Sequence, residues 1–454
     1  MHTFDERTAA LAQAVADYIE ERLRLDPAPL DQTASRADLD TRAGHLLGPG
    51  GNDADVVLRT FAEVLAPAVI SVDSPRFLAF IPAAPTKAAL LFDMIVSASS
   101  LSGISWLEAA GAVHAENQAL RFLADLAGLP PGAGGCFVAG GSAANLSALA
   151  VARERARSRT GRDRPPGGGP WRFAVSGQAH SSIANTARLL DCDLLHVESA
   201  ADDRFTGAAL AAALDADPDP ASVCAAVATA GTTNAGIVDD LAGIGTVCRE
   251  RGLWFHVDGA YGAAALLAPS ARGRFAGIDQ ADSLVVDPHK WLFAPFDCGA
   301  LLYRRPAGAR AVHTQDASYL DVIHEHPEEW NPSDYAYHLT RRARGLPLWF
   351  SLAVHGSDAY RDAIEASLAL ARAAADRIRD HPHLELVLEP DLSIVLFRRH
   401  GWDHADYEAW SARLLRDQVA FVTPSKWRGE TVGRFAFLHP HTTIEIVEEI
   451  LATT

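Results

Sequence analysis

Leu253-Trp254-Phe255-His256-Val257-Asp258-Gly259-Ala260-Tyr261 and, further on, Ser283-Leu284-Val285-Val286-Asp287-Pro288-His289-Lys290-Trp291 share one plan: a short apolar run that ends in groups able to do chemistry. Apolar runs this short, closed by turn-forming residues, read as buried strands, and such strands alternating with helical stretches build a mainly parallel sheet. An aspartate closing one strand and a lysine beyond the next are the pair that pyridoxal phosphate requires. The lysine amine condenses with the cofactor aldehyde, and the aspartate pairs with the pyridinium nitrogen. Either residue alone is ordinary, because a lysine past a strand is usually a solvated surface group and an Asp at a strand end is usually a cap. Their weight comes from the neighbouring segments.

The same texture runs outward on both sides. Gly135 to Val138, Arg172 to Val175, Leu194 to Val197, Ala225 to Thr229 and Gly299 to Tyr303 complete seven predicted strands, with helical patterns between them. Upstream, Ala9 to Leu25 and Ala54 to Val69 repeat apolar residues at helical spacing with no strand to cover. They predict a helical arm, whose apolar faces pack on the chain's own large domain or on a second subunit. Downstream, a helical connection from Leu346 to Arg379 leads to strands at Leu384 to Leu388, Ser393 to Arg398 and Arg434 to Leu438, and so to a smaller α/β lobe. The expected organisation is an arm over 1–85, a large domain over 86–350 and a small C-terminal domain over 351–454. The glycine- and proline-rich stretch ending at Pro170 reads as an exposed loop.

Composition narrows the function classes. A chain of 454 residues with 48% hydrophobic content buries a large core and exceeds the usual single-core size. A net charge of −17 argues against a polyanion-binding surface, so nucleic acid is not an expected partner. The polar, acidic start (His2 to Arg7) lacks an apolar signal core and no window reaches transmembrane length, which predicts a cytoplasmic protein without membrane association. Five scattered cysteines without metal-ligand spacing read as buried thiols, and no metal site is expected.

Three more segments follow predicted strands. Gly140-Gly141-Ser142-Ala143-Ala144-Asn145 opens a helix, whose free N–H groups beside a serine hydroxyl suit a phosphate. It lacks the spacing of a dinucleotide fingerprint or a P-loop. Gln178-Ala179-His180-Ser181-Ser182 places a histidine at the carboxyl edge of the sheet, where cofactors bind. In Ala230-Gly231-Thr232-Thr233-Asn234-Ala235-Gly236, small residues let backbone approach a flat ring, and Thr233 either donates to the cofactor or caps a helix.

In this order, with His-Val-Asp-x-Ala-Tyr-Gly and Asp-Pro-His-Lys-Trp, the motifs resemble those of the group II pyridoxal-phosphate decarboxylases, and most closely the aromatic-L-amino-acid decarboxylase branch. The resemblance extends from Ser74-Pro75-Arg76-Phe77 to Phe435-Ala436-Phe437-Leu438-His439-Pro440, most of the chain. It implies a fold-type-I, aspartate-aminotransferase-like α/β enzyme: a mainly parallel seven-stranded sheet between helices, working as a homodimer with active sites at the subunit boundary. By the same resemblance Lys290 binds the aldehyde, Asp258 keeps the ring nitrogen protonated and His180 stacks on the ring. Gly141 and Ser142 hold phosphate, Ala260 packs under the ring, and Thr233 and His289 line the site.

Asp316-Ala317-Ser318-Tyr319-Leu320 resembles the mobile-loop motif whose tyrosine, in that branch, returns a proton to Cα. The substrate wall falls on Phe80, Ile81, Pro82, Ile104 and Trp106. Here the chain departs from the branch: Ile81 and Ile104 stand where aromatic-specific members usually offer aromatic side chains, and Ala83 where they offer threonine. An apolar wall discriminates by only about 1–3 kcal/mol per methylene, which leaves an aromatic or an aliphatic L-amino acid open as substrate. Two further outcomes stay open on the same fold. One is an oxidative, aldehyde-forming turnover; the other is a lyase or aminotransferase, with Arg434 as the late arginine that could pin a substrate carboxylate as transaminases do.

Overall fold

A computed structural model of the chain describes residues 2–81, 84–326 and 328–454. All seven predicted strands of the large sheet form: β1 (Gly134–Val138), β2 (Trp171–Ser176), β3 (Cys192–Val197), β4 (Val223–Thr229), β5 (Trp254–Asp258), β6 (Ser283–Val286) and β7 (Gly299–Tyr303). Their spatial order is β1-β7-β6-β5-β4-β2-β3. Only β7 runs against the rest, pairing antiparallel with both β1 and β6. The carboxyl ends of β1, β2, β4, β5 and β6 therefore lie along one edge.

Side chains alternate across each strand, so the sheet has two buried faces. On β5, Phe255 and Val257 join the larger core, while Trp254 joins the core under the helix Gly141–Thr160. Helices cover both faces, which is why the strands read as continuous apolar runs.

The smaller lobe forms around β8 (Leu384–Leu386), β9 (Ile394–Arg399), β10 (Ser425–Trp427) and β11 (Glu430–Ala436), in the order β10-β11-β9-β8 and antiparallel throughout. It has its own core, including Phe397, Trp410, Phe435 and Phe437. β10 is too short to stand out from its polar surroundings in the sequence.

At the other end, the arm contains helices Glu6–Arg24, Arg36–Ala43 and Ala54–Thr60, the last continuing as a π-turn through Leu65. None of these segments buries a single residue within the chain. A bidentate pair from Arg22 to Asp73, at 2.8 Å to each oxygen, ties the first helix down. Among the described residues no helix is long and apolar enough to cross a membrane. All five cysteines are buried and free.

The helix Leu346–Asp380 links the large sheet to the smaller lobe and is interrupted at Gly356, whose φ of 72° and ψ of 159° suit glycine alone. Its start is fixed by a buried carboxyl: the Gly345 N–H donates to Glu116 at 2.7 Å. Burial pushes the Glu116 carboxyl up to about 7, against the pull of the Gly345 N–H and of Arg341 and Arg344. The folded chain thus retains a proton that the unfolded chain releases near the ordinary glutamate value. This contribution to stability is complete below that value and is lost as pH rises through about 7. Glu116→Gln removes the titration but keeps an acceptor for Gly345. Relative to wild type, the variant should gain about 3 kcal/mol between pH 5 and pH 8 in urea unfolding. Parallel stability curves for the two proteins would disprove this account.

Candidate active site

The loops leaving that common edge converge on a cavity of 230 Å³. It is lined by Gly141 and Ser142 after β1, His180 after β2, Thr233 after β4, Asp258 and Ala260 at the end of β5, and His289 and Lys290 after β6. Every residue assigned to the cofactor from the sequence is therefore in one place, at the carboxyl edge where open α/β sheets bind ligands.

Asp258 is buried and held from two sides. Its Oδ1 accepts the Ala260 N–H at 3.1 Å, and its Oδ2 accepts from the Asn145 amide at 2.9 Å. Lys290 lies with its Nζ 3.0 Å from Asp287 Oδ2. The same Asp287 oxygen accepts the Gly141 N–H at 3.0 Å, so the helix N-terminus that the sequence offers to a phosphate also attracts a carboxylate of the chain. These segments approach closely: a Cβ at Gly299 would lie 2.6 Å from the Gly140 Cα and 2.8 Å from Asp287 Oδ1.

His180 caps the helix Ser181–Leu189, its Nδ1 accepting the Ser182 N–H at 3.2 Å. His289 Nδ1 lies 2.7 Å from the Cys298 carbonyl oxygen, and burial lowers the proton affinity of the ring.

Other predicted residues stand apart. Tyr319 lies in the first turn of the 3₁₀ helix Ser318–His324, is 71% exposed, and does not line the cavity. Phe80, 60% exposed, packs beside Phe77 and Phe421. Ile81 leans on the large core. The segment carrying Ile104 and Trp106 is tied to the stretch after Pro327: the Ile104 carbonyl accepts the Ser333 N–H at 3.1 Å, and the Trp106 N–H donates to Asn331 Oδ1 at 2.9 Å. None of these four lines the cavity within one chain. Pro82 and Ala83 lie outside the described residues. Arg434 donates to the Thr233 carbonyl at 2.7 Å and to the Asn234 carbonyl at 3.2 Å, which engages its guanidinium in supporting that loop.

Sequence reasoning gave no role to Asn145, Ser182, His256 or Asp287, although all four stand inside the quoted motifs. One available signal was the period-two row Trp254-x-His256-x-Asp258, which sets three polar-tipped side chains on one strand face.

The cavity's chemistry fits pyridoxal phosphate. It offers an amine, a buried carboxylate and a helix N-terminus, and two polar atoms on its lining residues, Thr229 Oγ1 and Asp287 Oδ1, are buried without a hydrogen-bond partner among the described residues. The family model described as the pyridoxal-dependent decarboxylase conserved domain matches residues 48–400. The chain belongs to the pyridoxal-dependent decarboxylases.

As a member of that family it is a carboxy-lyase whose cofactor is pyridoxal phosphate. Similar proteins include the aromatic-L-amino-acid decarboxylase of Bacillus atrophaeus, 28% identical over 97% of this chain and 92% of that protein. Tryptophan decarboxylase 1 of Oryza sativa subsp. japonica is 30% identical over 84% of this chain and 80% of its own. Among solved structures, Oryza sativa TDC with PLP and tryptamine superposes with a TM-score of 0.91 at 26% identity, covering 99% of both chains. The decarboxylase fold is thus fold type I, as the motifs implied.

Proposed function

We propose that this decarboxylase converts an aromatic L-amino acid to its amine and CO₂. The observation that carries the reading is the single cavity joining Lys290, Asp258, His180, Gly141 and Ser142; the names of the relatives supply the aromatic class. When bound, pyridoxal phosphate supplies a protonated ring that withdraws the electron pair left on Cα as CO₂ departs.

The chain's part is to bind, orient and move protons. Lys290 would hold the cofactor's aldehyde carbon, and Asp287, 3.0 Å from its amine, orients that amine in the cavity. Asp258 meets the ring nitrogen and favours its protonated form. His180 would pack on the ring face, Ala260 would lie under it, and Gly141 and Ser142 at the helix N-terminus would hold the phosphate. Thr233 and His289 border the ring.

Phe80, Ile81, Ile104 and Trp106 form the substrate wall across a homodimer boundary. In support, the helices of the arm bury no residue in their own chain, and Phe61, Ile95 and Leu107 are exposed apolar residues that a partner subunit would cover. Five buried thiols suit a reducing, cytoplasmic setting.

The test is to incubate purified holoenzyme with the twenty L-amino acids, L-Dopa and 5-hydroxytryptophan, measuring CO₂, amine, aldehyde and peroxide. Equal CO₂ and amine from aromatic substrates is the expected result. Turnover confined to aliphatic or acidic amino acids would refute the substrate class. A 2-oxo acid product would refute the reaction.

A further inference from the structure

β5 and β6 pair in parallel register with His256 opposite Ser283, and alternation along β5 puts Trp254, His256 and Asp258 on one face. The helix Gly141–Thr160 lies over that face and brings Asn145, 1% exposed, between His256 and Asp258. The result is a continuous set of hydrogen bonds. Trp254 Nε1 is 2.7 Å from Ser283 Oγ, Ser283 Oγ is 2.7 Å from His256 Nδ1, and His256 Nε2 is 2.9 Å from Asn145 Oδ1. Asn145 Nδ2 then lies 2.9 Å from both Asp258 Oδ2 and Ser182 Oγ. Ser182 Oγ is 2.9 Å from His180 Nδ1.

The direction of every bond follows from its two ends. An indole only donates and an ionised carboxylate only accepts. Trp254 therefore donates to Ser283, and because Asp258 only accepts, Asn145 presents Oδ1 to His256 Nε2–H, which leaves Nδ1 of a neutral ring bare to accept the Ser283 hydroxyl. His256 then carries its own proton on Nε2 and gives it to Asn145 Oδ1. That acceptance turns both amide hydrogens of Asn145 away, one to Asp258 and one to Ser182. No other assignment of tautomer and amide orientation serves all the partners. Burial agrees with a neutral ring, holding the proton affinity of His256 below that of an ordinary histidine.

We propose that Trp254, Ser283, His256 and Asn145 are positioning residues: a one-way relay that locks the Asn145 amide so that Asp258 keeps a donor on Oδ2 and its remaining lone pairs face the cofactor's ring nitrogen. Ser182 takes the second amide hydrogen of Asn145, which helps fix the way that amide faces. Without the Ser283 hydroxyl, His256 is free to take the other tautomer. Its bare Nε2 would then oppose Asn145 Oδ1, and an amide flip would turn oxygen toward the Asp258 carboxylate. This inference rests on the reading that Asp258 meets the ring nitrogen.

A comparison of cofactors separates positioning from mere packing. The full-length protein, stripped of cofactor, is titrated with pyridoxal phosphate and with its 1-deaza analogue, in which C–H replaces the ring nitrogen. Asn145→Asp keeps the shape but exchanges a donor for an acceptor; Ser283→Ala and Trp254→Phe break the relay further away. Asn145→Asp should weaken binding of pyridoxal phosphate by roughly 10–100-fold, the worth of a hydrogen bond to a charged group, and Ser283→Ala by roughly tenfold. Trp254→Phe should act in the same direction but less. All three should leave binding of the deaza analogue nearly unchanged. Asp258→Asn is the benchmark and should erase the protein's preference for the nitrogen-bearing cofactor. If Asp258→Asn is selective but the relay variants weaken both cofactors equally, or neither, the relay is wrong and the role of Asp258 stands. If Asp258→Asn affects both cofactors alike, both ideas fall.

Discussion

Lys290→Ala should lower decarboxylation by on the order of 10⁴-fold or more, the scale seen when a group that bonds covalently to the reacting partner is lost. Borohydride should fix a phosphopyridoxyl group on Lys290 of the wild type and on no residue of the variant. The contacts proposed at Gly141, Ser142 and Asp258 do not depend on the amine, so the variant should still retain cofactor by non-covalent binding. A second effect follows from the chain itself. Asp287 Oδ1 already lacks a partner, and Oδ2 is shared between Lys290 and the Gly141 N–H. Removing the amine leaves a buried carboxylate with one backbone donor, which should cost the cofactor-free protein about 1–3 kcal/mol in urea unfolding. Lys290→Ala/Asp287→Asn should recover most of that loss while staying inactive. Borohydride labelling of a different lysine in the wild type would show that the covalent residue is misassigned. A double variant no more stable than the single one would show that the Asp287 charge is met elsewhere.

Lys290 and Asp258 were legible because each sits where a short apolar run stops. Val286 gives way to Asp287-Pro288-His289-Lys290, and Val257 to Asp258, and in a parallel sheet all such stops fall on one edge. The direction of β7 was not legible, since Gly299 to Tyr303 is apolar in either orientation. The helical arm was visible as a pattern at Ala9 to Leu25, but not its fate, because an amphipathic face does not say what covers it. Asn145, His256 and Ser283 escaped for another reason. Each is an ordinary polar residue in sequence, and only the register of β5 on β6 under the Gly141–Thr160 helix lines them up. Phe80, Ile104 and Tyr319 lie outside the cavity of their own chain, so the roles proposed for them require a partner subunit.

Tyr319 gives that boundary a direct measurement. We propose that its phenol returns the proton to Cα once CO₂ has left, from the loop of one subunit into the cavity of the other. Tyr319→Phe removes only a hydroxyl from a side chain that is 71% exposed, so folding and cofactor binding should be unchanged. Amine formation should drop by roughly 10²–10⁴-fold, the usual worth of a positioned acid. An unprotonated Cα then persists long enough to meet dioxygen, so the remaining turnover should shift toward aldehyde, ammonia and peroxide, with oxygen uptake tracking CO₂ release. His180→Asn should push the same way. Because Tyr319 does not line its own chain's cavity, a mixture of two proteins that are each defective in amine formation decides where it acts. In a hybrid of Lys290→Ala and Tyr319→Phe subunits, action across the dimer gives one site with both an intact lysine and an intact tyrosine. Random re-association should then restore about a quarter of wild-type sites, half the dimers being hybrids with one working site each. Action within a subunit leaves every site of the hybrid without one group or the other, and no activity returns. Undiminished amine yield in Tyr319→Phe alone would show that another group, or water, is the acid.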